Sequence, residues 1–128
     1  MAMGKLSLAI GFQIRFASAY VDMIRRIQQG DIGEIINAQL YYLAAGSPPK
    51  PYNNVSYDES RIRNQYHFRA LSGGILVDQG IHMLDVCNWA LKSHPLKANG
   101  TGGRKGGYEF GDKWTIFMIH FEDPENVN

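Results

Sequence analysis

The chain has 128 residues, 45% hydrophobic and 20% charged, with a formal net charge of +1 at pH 7. That length suits one domain with a real core, and the near-neutral balance argues against non-specific nucleic-acid binding, which needs clustered positive charge. Cys87 is the one cysteine, which excludes an intrachain disulfide and a thiolate zinc cluster, and no apolar run reaches the ~20 residues of a membrane span.

The opening, from Met1 to Lys5, lacks the apolar stretch of a signal peptide and reads as a cloning remnant. Any targeting signal would precede it, so cytoplasm and bacterial export both stay open. Residues 6–10 alternate and predict a short strand. Gly11-Phe12-Gln13-Ile14-Arg15 leads into a helix with Tyr20, Met23, Ile24 and Ile27 at helical spacing. Ser18 is its expected cap, Gly30 its end, and residues 30–33 a turn.

Residues 34–45 give the clearest strand pattern, with Ile36, Ala38, Leu40, Tyr42 and Ala44 on one side. The proline-rich residues 46–52 must be a loop, because proline cannot donate to a ladder. A short helix is expected over residues 59–68, capped by Asp58. Arg61, Arg63 and Arg69 gather there beside Asp58 and Glu59, as on a solvated helix face. Gly73-Gly74 then opens a long helix to about Lys92, with Val77, Ile81, Leu84 and Leu91 inward. Residues 96–100 predict a strand, residues 101–111 a flexible glycine-rich loop, and residues 113–121 a strand covered on both faces. After Phe121 the sequence turns without a return strand, leaving an open edge that invites another chain. The sum is an α+β fold: an open, mainly antiparallel or mixed sheet with helices on one face.

Chemistry concentrates in residues 73–85. Asp78, His82 and Asp85 fall at i, i+4 and i+7, so on a helix they share one face. A carboxylate beside an imidazole can orient a group that titrates near neutral pH, as proton transfer requires. The alternative is an Asp–His hydrogen bond that only holds the helix. His67 could join the three in a mixed metal site, but the spacing matches no zinc pattern such as H-E-x-x-H. No G-x-S-x-G elbow, G-x-G-x-x-G or G-x-x-x-x-G-K-[ST] motif is present. Cys87 reads as a small buried hydrophobe, and His94 and His120 as structural or solvent-facing.

With those residues in view, the sequence resembles the Gfo/Idh/MocA oxidoreductases. Residues 11–15 look like the family's segment leaving the cofactor domain. Residues 27–35 look like its helix end, G-x-I-G turn and first large-sheet strand. Residues 73–85, followed by Trp89 and Pro95, look like its D-x-G-x-H-x-x-D helix. The resemblance implies a single partial domain over residues 1–128, the substrate and oligomerisation half of an NAD(P)-dependent enzyme acting on a sugar or polyol hydroxyl. It implies His82 as acid/base and Asp78 as its partner or a substrate ligand, with Arg15, His67, Arg69 and Asp85 lining the substrate pocket. NAD or NADP would serve the intact parent, and none is expected to bind this chain alone. Neither a Rossmann unit nor the E-K-P segment that carries the family's lysine occurs here. The expectation is therefore a fragment, inactive alone, that forms a homo-oligomer through its open sheet and contacts neither membrane nor nucleic acid. The alternatives are a stand-alone carbohydrate-binding or interaction module, and a metal-dependent hydrolase or isomerase.

Overall fold

The computed structural model describes residues 7–106 and 109–124. Met1 to Leu6, Gly107 and Tyr108, and residues 125–128 of the expected final turn lie outside the described residues. A 3-10 turn at Gln13–Phe16 leads into α1, Ser18–Gln29. Ile24 is 1% exposed and anchors this helix in the core. On its outer face Asp22 holds Arg25 at 2.6 Å and Arg26 at 3.0 Å, exposed pairs that solvent screens. Gly30 closes the helix at φ 92, donating to Arg26 and Ile27 carbonyls. The expected Ser18 cap is corrected: Ala17 is the N-cap and caps nothing with its side chain, and Ser18 is already helical.

The second helix, α2, spans Tyr57–Arg63, shorter than residues 59–68. Its cap is Ser56, not Asp58. The Ser56 hydroxyl accepts from the Glu59 N–H at 3.1 Å, half of a Ser-x-x-Glu capping box. Asp58 instead sits in the first turn, where the helix dipole favours an acid. The helix ends at Asn64, whose buried side chain is claimed by the loop before it. Its amide donates to the Lys50 and Ser60 carbonyls and accepts from the Lys50 N–H. A 3-10 turn at Gln65–His67 and a short α3, Arg69–Ser72, follow.

The long helix forms in two registers. A π turn at Leu76–Gly80 runs into α4, Ile81–Leu91, which Lys92 ends in the left-handed conformation. A π turn carries one residue more than an α turn, so it rotates the side chains before it relative to those after it. That corrects the expected inward stripe. Ile81, Leu84 and Leu91 are partly covered, but Val77 faces solvent. Val86 and Phe68 are buried, and α1 packs on α4.

Two strands, β1 (Lys97–Gly103) and β2 (Ile116–Glu122), pair antiparallel from Lys97 opposite Glu122 to Gly103 opposite Ile116. The class is α+β, with helices beside a two-stranded antiparallel sheet. The expected β2 has one covered face, not two: Phe117, Ile119 and Phe121 are half-buried, while Ile116, Met118 and His120 are exposed. β1 also takes in residues 101–103, which were expected to be a loop. Residues 34–45 form no strand, and neither do residues 7–10. Their alternation satisfies a side-chain pattern, but a strand also needs a neighbouring backbone to accept its hydrogen bonds. Among the described residues none is offered, and Ile36 and Leu43 stand 92% and 90% exposed.

Candidate functional site

The face built by α4 and the turn before α1 centres on His82. Its ring lies edge-on to Phe12, with centroids 5.8 Å apart, and stacks on Tyr42 at 6.3 Å. The imidazole is thus held between two rings from distant parts of the chain. It is half-buried, and its Nδ1 is buried without a hydrogen-bond partner among the described residues. So is Gln79 Oε1, one turn earlier. Buried polar atoms are almost always paired, so the unpaired imidazole nitrogen marks His82 out among the described residues.

Asp78 lies in the π turn and is exposed, with no hydrogen bond to His82 among the described residues. The shared face expected from i, i+4 spacing therefore does not bring these two into contact. Gly73, at φ +72, ends α3 just before this turn. A Cβ there would meet the Val77 side chain at 2.7 Å, so the close approach of α3 to the π turn requires glycine.

Asp85 is engaged elsewhere. Arg15 Nε and Nη2 each donate to one Asp85 oxygen at 2.8 Å. The carboxylate is 10% exposed and the guanidinium 41%. The hydrogen bond and charge of Asp85 raise the Arg15 pKa, and the guanidinium also sits over Trp89, 5.2 Å from the ring centroid. Two of the pocket residues implied by resemblance, Arg15 and Asp85, are therefore partners of each other. With Phe12 contacting His82, this pair ties the entry segment to the site helix.

His67 and Arg69 belong to a separate neighbourhood. His67 is buried against Tyr66 and Phe110. Burial, and then the charge of Lys113, hold its pKa below the ordinary imidazole value. Its carbonyl accepts from the Asp112 and Lys113 N–H groups. Arg69 pairs with Asp112 at 3.4 Å and lies 5.1 Å over Trp114. The Arg69 N–H donates to Asp112 Oδ1 at 2.9 Å, and that bond, with the Arg69 charge, lowers the Asp112 pKa. Among the described residues no three His, Cys, Asp or Glu side chains gather as metal ligands, so His67, Asp78, His82 and Asp85 do not converge. No helix among them is long and apolar enough to cross a membrane.

Sequence reasoning missed Phe12, Tyr42 and Lys113. Tyr42 falls on the apolar side of the alternating residues 34–45, and nothing in the local pattern links it to a histidine 40 positions on.

Comparison with known proteins sets this α+β domain in an oxidoreductase family. The chain belongs to the GFO/IDH/MocA family: residues 20–126 match that family's C-terminal domain. It is also similar to a scyllo-inositol 2-dehydrogenase (NAD(+)) of Bacillus subtilis (strain 168), 31% identical over 93 residues. That match covers 73% of this chain and 22% of the relative, so the chain spans about a fifth of the relative's length. No solved structure matches the chain significantly.

Proposed function

We propose that this chain supplies the substrate side of an NAD(P)-dependent oxidoreductase acting on a sugar or polyol hydroxyl, with His82 as its acid/base. The observation that carries the reading is His82 itself: an imidazole clamped by Phe12 and Tyr42, with a buried nitrogen that finds no partner among the described residues. A histidine so oriented can take a hydroxyl proton as the attached carbon is oxidised. The π turn before it supports the reading, since such turns concentrate at functional sites. Asp78, exposed on that turn and without a bond to His82 among the described residues, would bind a substrate hydroxyl rather than orient His82. The inositol dehydrogenase relative supports the polyol class.

The residues present do not form a dinucleotide site, because no strand–G-x-G-x-x-G–helix unit occurs among them. Nicotinamide would be held by another domain, which would accept the hydride. This chain's own contribution is to bind the hydroxyl, exclude water with Phe12 and Tyr42, and hold the proton at His82. The chain alone is expected to be inactive. The open edges of its sheet and the uncovered residues 34–45 are where a homo-oligomer would form.

A second reading, a carbohydrate-binding module without catalysis, draws on a different feature. An open cleft of about 580 Å³ is lined by Tyr57, Arg61, Phe68, Glu109, Phe110 and Asp112, an aromatic and polar mixture suited to sugar faces and hydroxyls.

Sequencing the source DNA on both sides of the coding region separates the two. An in-frame nucleotide-binding unit upstream, joined to a protein whose turnover is abolished by His82→Ala with cofactor binding intact, would establish the first. A stop codon or an unrelated domain there would leave no hydride carrier and favour the second.

A further inference from the structure

Beyond the His82 face, a small cavity of about 60 Å³ lies between residues 44–47, Tyr66, His67, Arg104, Lys113 and Thr115. Three of its lining groups are basic. Lys113 is only 9% exposed. Its ammonium lies 3.0 Å from the Tyr66 ring centroid and forms no ion pair among the described residues. A lysine is rarely buried without a carboxylate, because one ring face offsets the desolvation of its charge only in part. Asp112, the adjacent acid, is turned to Arg69. Arg104 reaches the same neighbourhood, donating to the Gly111 carbonyl at 2.6 Å, and both cations depress the His67 pKa.

The backbone holds these groups in place. The His67 carbonyl accepts two N–H bonds, from Asp112 and Lys113, both at 3.1 Å. Gly111, at φ +82, lies so close that a Cβ would collide with that carbonyl. The Thr115 hydroxyl is fixed by the Lys105 backbone on both sides. The cavity wall thus presents Lys113, without an ion pair among the described residues, beside room for a few heavy atoms.

We propose that this cavity binds a small oxyanion, a carboxylate or phosphoryl group, held by Lys113 and Arg104 beside His67. The inference does not rest on the His82 reading. It concerns different side chains and holds whether or not the domain takes part in redox chemistry. An anion there would compensate the Lys113 charge and favour protonation of His67.

His67 is the reporter. Its imidazole would be titrated by NMR in sodium phosphate, in sodium acetate and in sodium chloride at matched ionic strength. Phosphate or acetate should raise the His67 pKa by about half a unit or more over chloride. A rise in acetate alone assigns a carboxylate site, and a rise in phosphate alone a phosphoryl site. In Lys113→Met the chloride value should rise, because a neighbouring cation is gone, and the anion-dependent part should vanish. Identical His67 titrations in all three salts would overturn the proposal, and the wild-type chain alone suffices for that comparison. A full anion response retained in Lys113→Met would overturn it as well.

Discussion

Arg15 and Asp85 stand 70 residues apart and meet in a two-point ion pair, both arms at 2.8 Å. One partner belongs to the turn before α1, the other to the buried face of α4. The parallel N–H bonds fix orientation as well as distance, so the pair sets where the entry segment crosses the site helix. Phe12, three residues before Arg15, can then reach the His82 ring.

The two ends of this pair are not equivalent. Arg15→Met strands a largely buried carboxylate, whereas Asp85→Asn leaves a guanidinium that already reaches water. Arg15→Met should cost about 2 kcal/mol and Asp85→Asn about 1 kcal/mol, the latter reduced by solvent screening. Urea unfolding measures both, and the reverse order would contradict the assignment of Asp85 as the buried partner.

Two glycines with positive φ should respond differently to alanine. At Gly30 a Cβ has open space, so Gly30→Ala meets only the left-handed backbone, about 1 kcal/mol. At Gly111 the same strain is joined by a collision with the His67 carbonyl, and the loss should reach about 3 kcal/mol. Thermal melts of the two variants would compare them, and equal losses would mean that residues 111–113 do not clamp His67.

His67 gives the stability a pH dependence of definite sign. Its folded pKa lies below the unfolded value, chiefly through burial. Between the two values the unfolded chain binds more protons, so stability rises with pH there. The contribution is complete above about pH 6.5, the unfolded value, and is lost as pH falls toward the folded one. His67→Gln should flatten the change in unfolding midpoint between pH 7 and pH 5, and an unchanged slope would remove His67 as its source.

Burial, and secondarily Asp123, push the Cys87 thiol pKa up, leaving less thiolate at neutral pH. Alkylation of the native chain should be slower than that of free cysteine and should accelerate on unfolding. Rapid native-state labelling would contradict this.

Local pattern made parts of this fold legible before any coordinates. The 3.6-residue spacing of Tyr20, Met23, Ile24 and Ile27 identified α1, and the alternation around Phe117 and Ile119 identified β2. Patterns that depend on a distant partner were not legible. Residues 34–45 alternate as well as β2 does, yet among the described residues they lack the backbone neighbour that makes alternation a strand. The π turn is also invisible to a period, because it inserts one residue into a stripe that otherwise reads as helix. At the site, His82 and Asp78 stand out by type and spacing. Their separation, the Arg15–Asp85 pairing and the Phe12 and Tyr42 clamp all arise from tertiary packing between segments far apart in sequence. Lys113 gave no signal, since a lysine leading into a strand ordinarily faces water.

The most direct test of the central claim is an NMR titration of the His82 ring with a panel of inositols and sugars, using this chain. The account predicts that at least one polyol shifts the His82 resonances saturably, while His94 and His120 stay put and Tyr42→Ala weakens the response. A His82 ring indifferent to every polyol, with sugars perturbing instead the cleft of Tyr57 and Phe68, would contradict it.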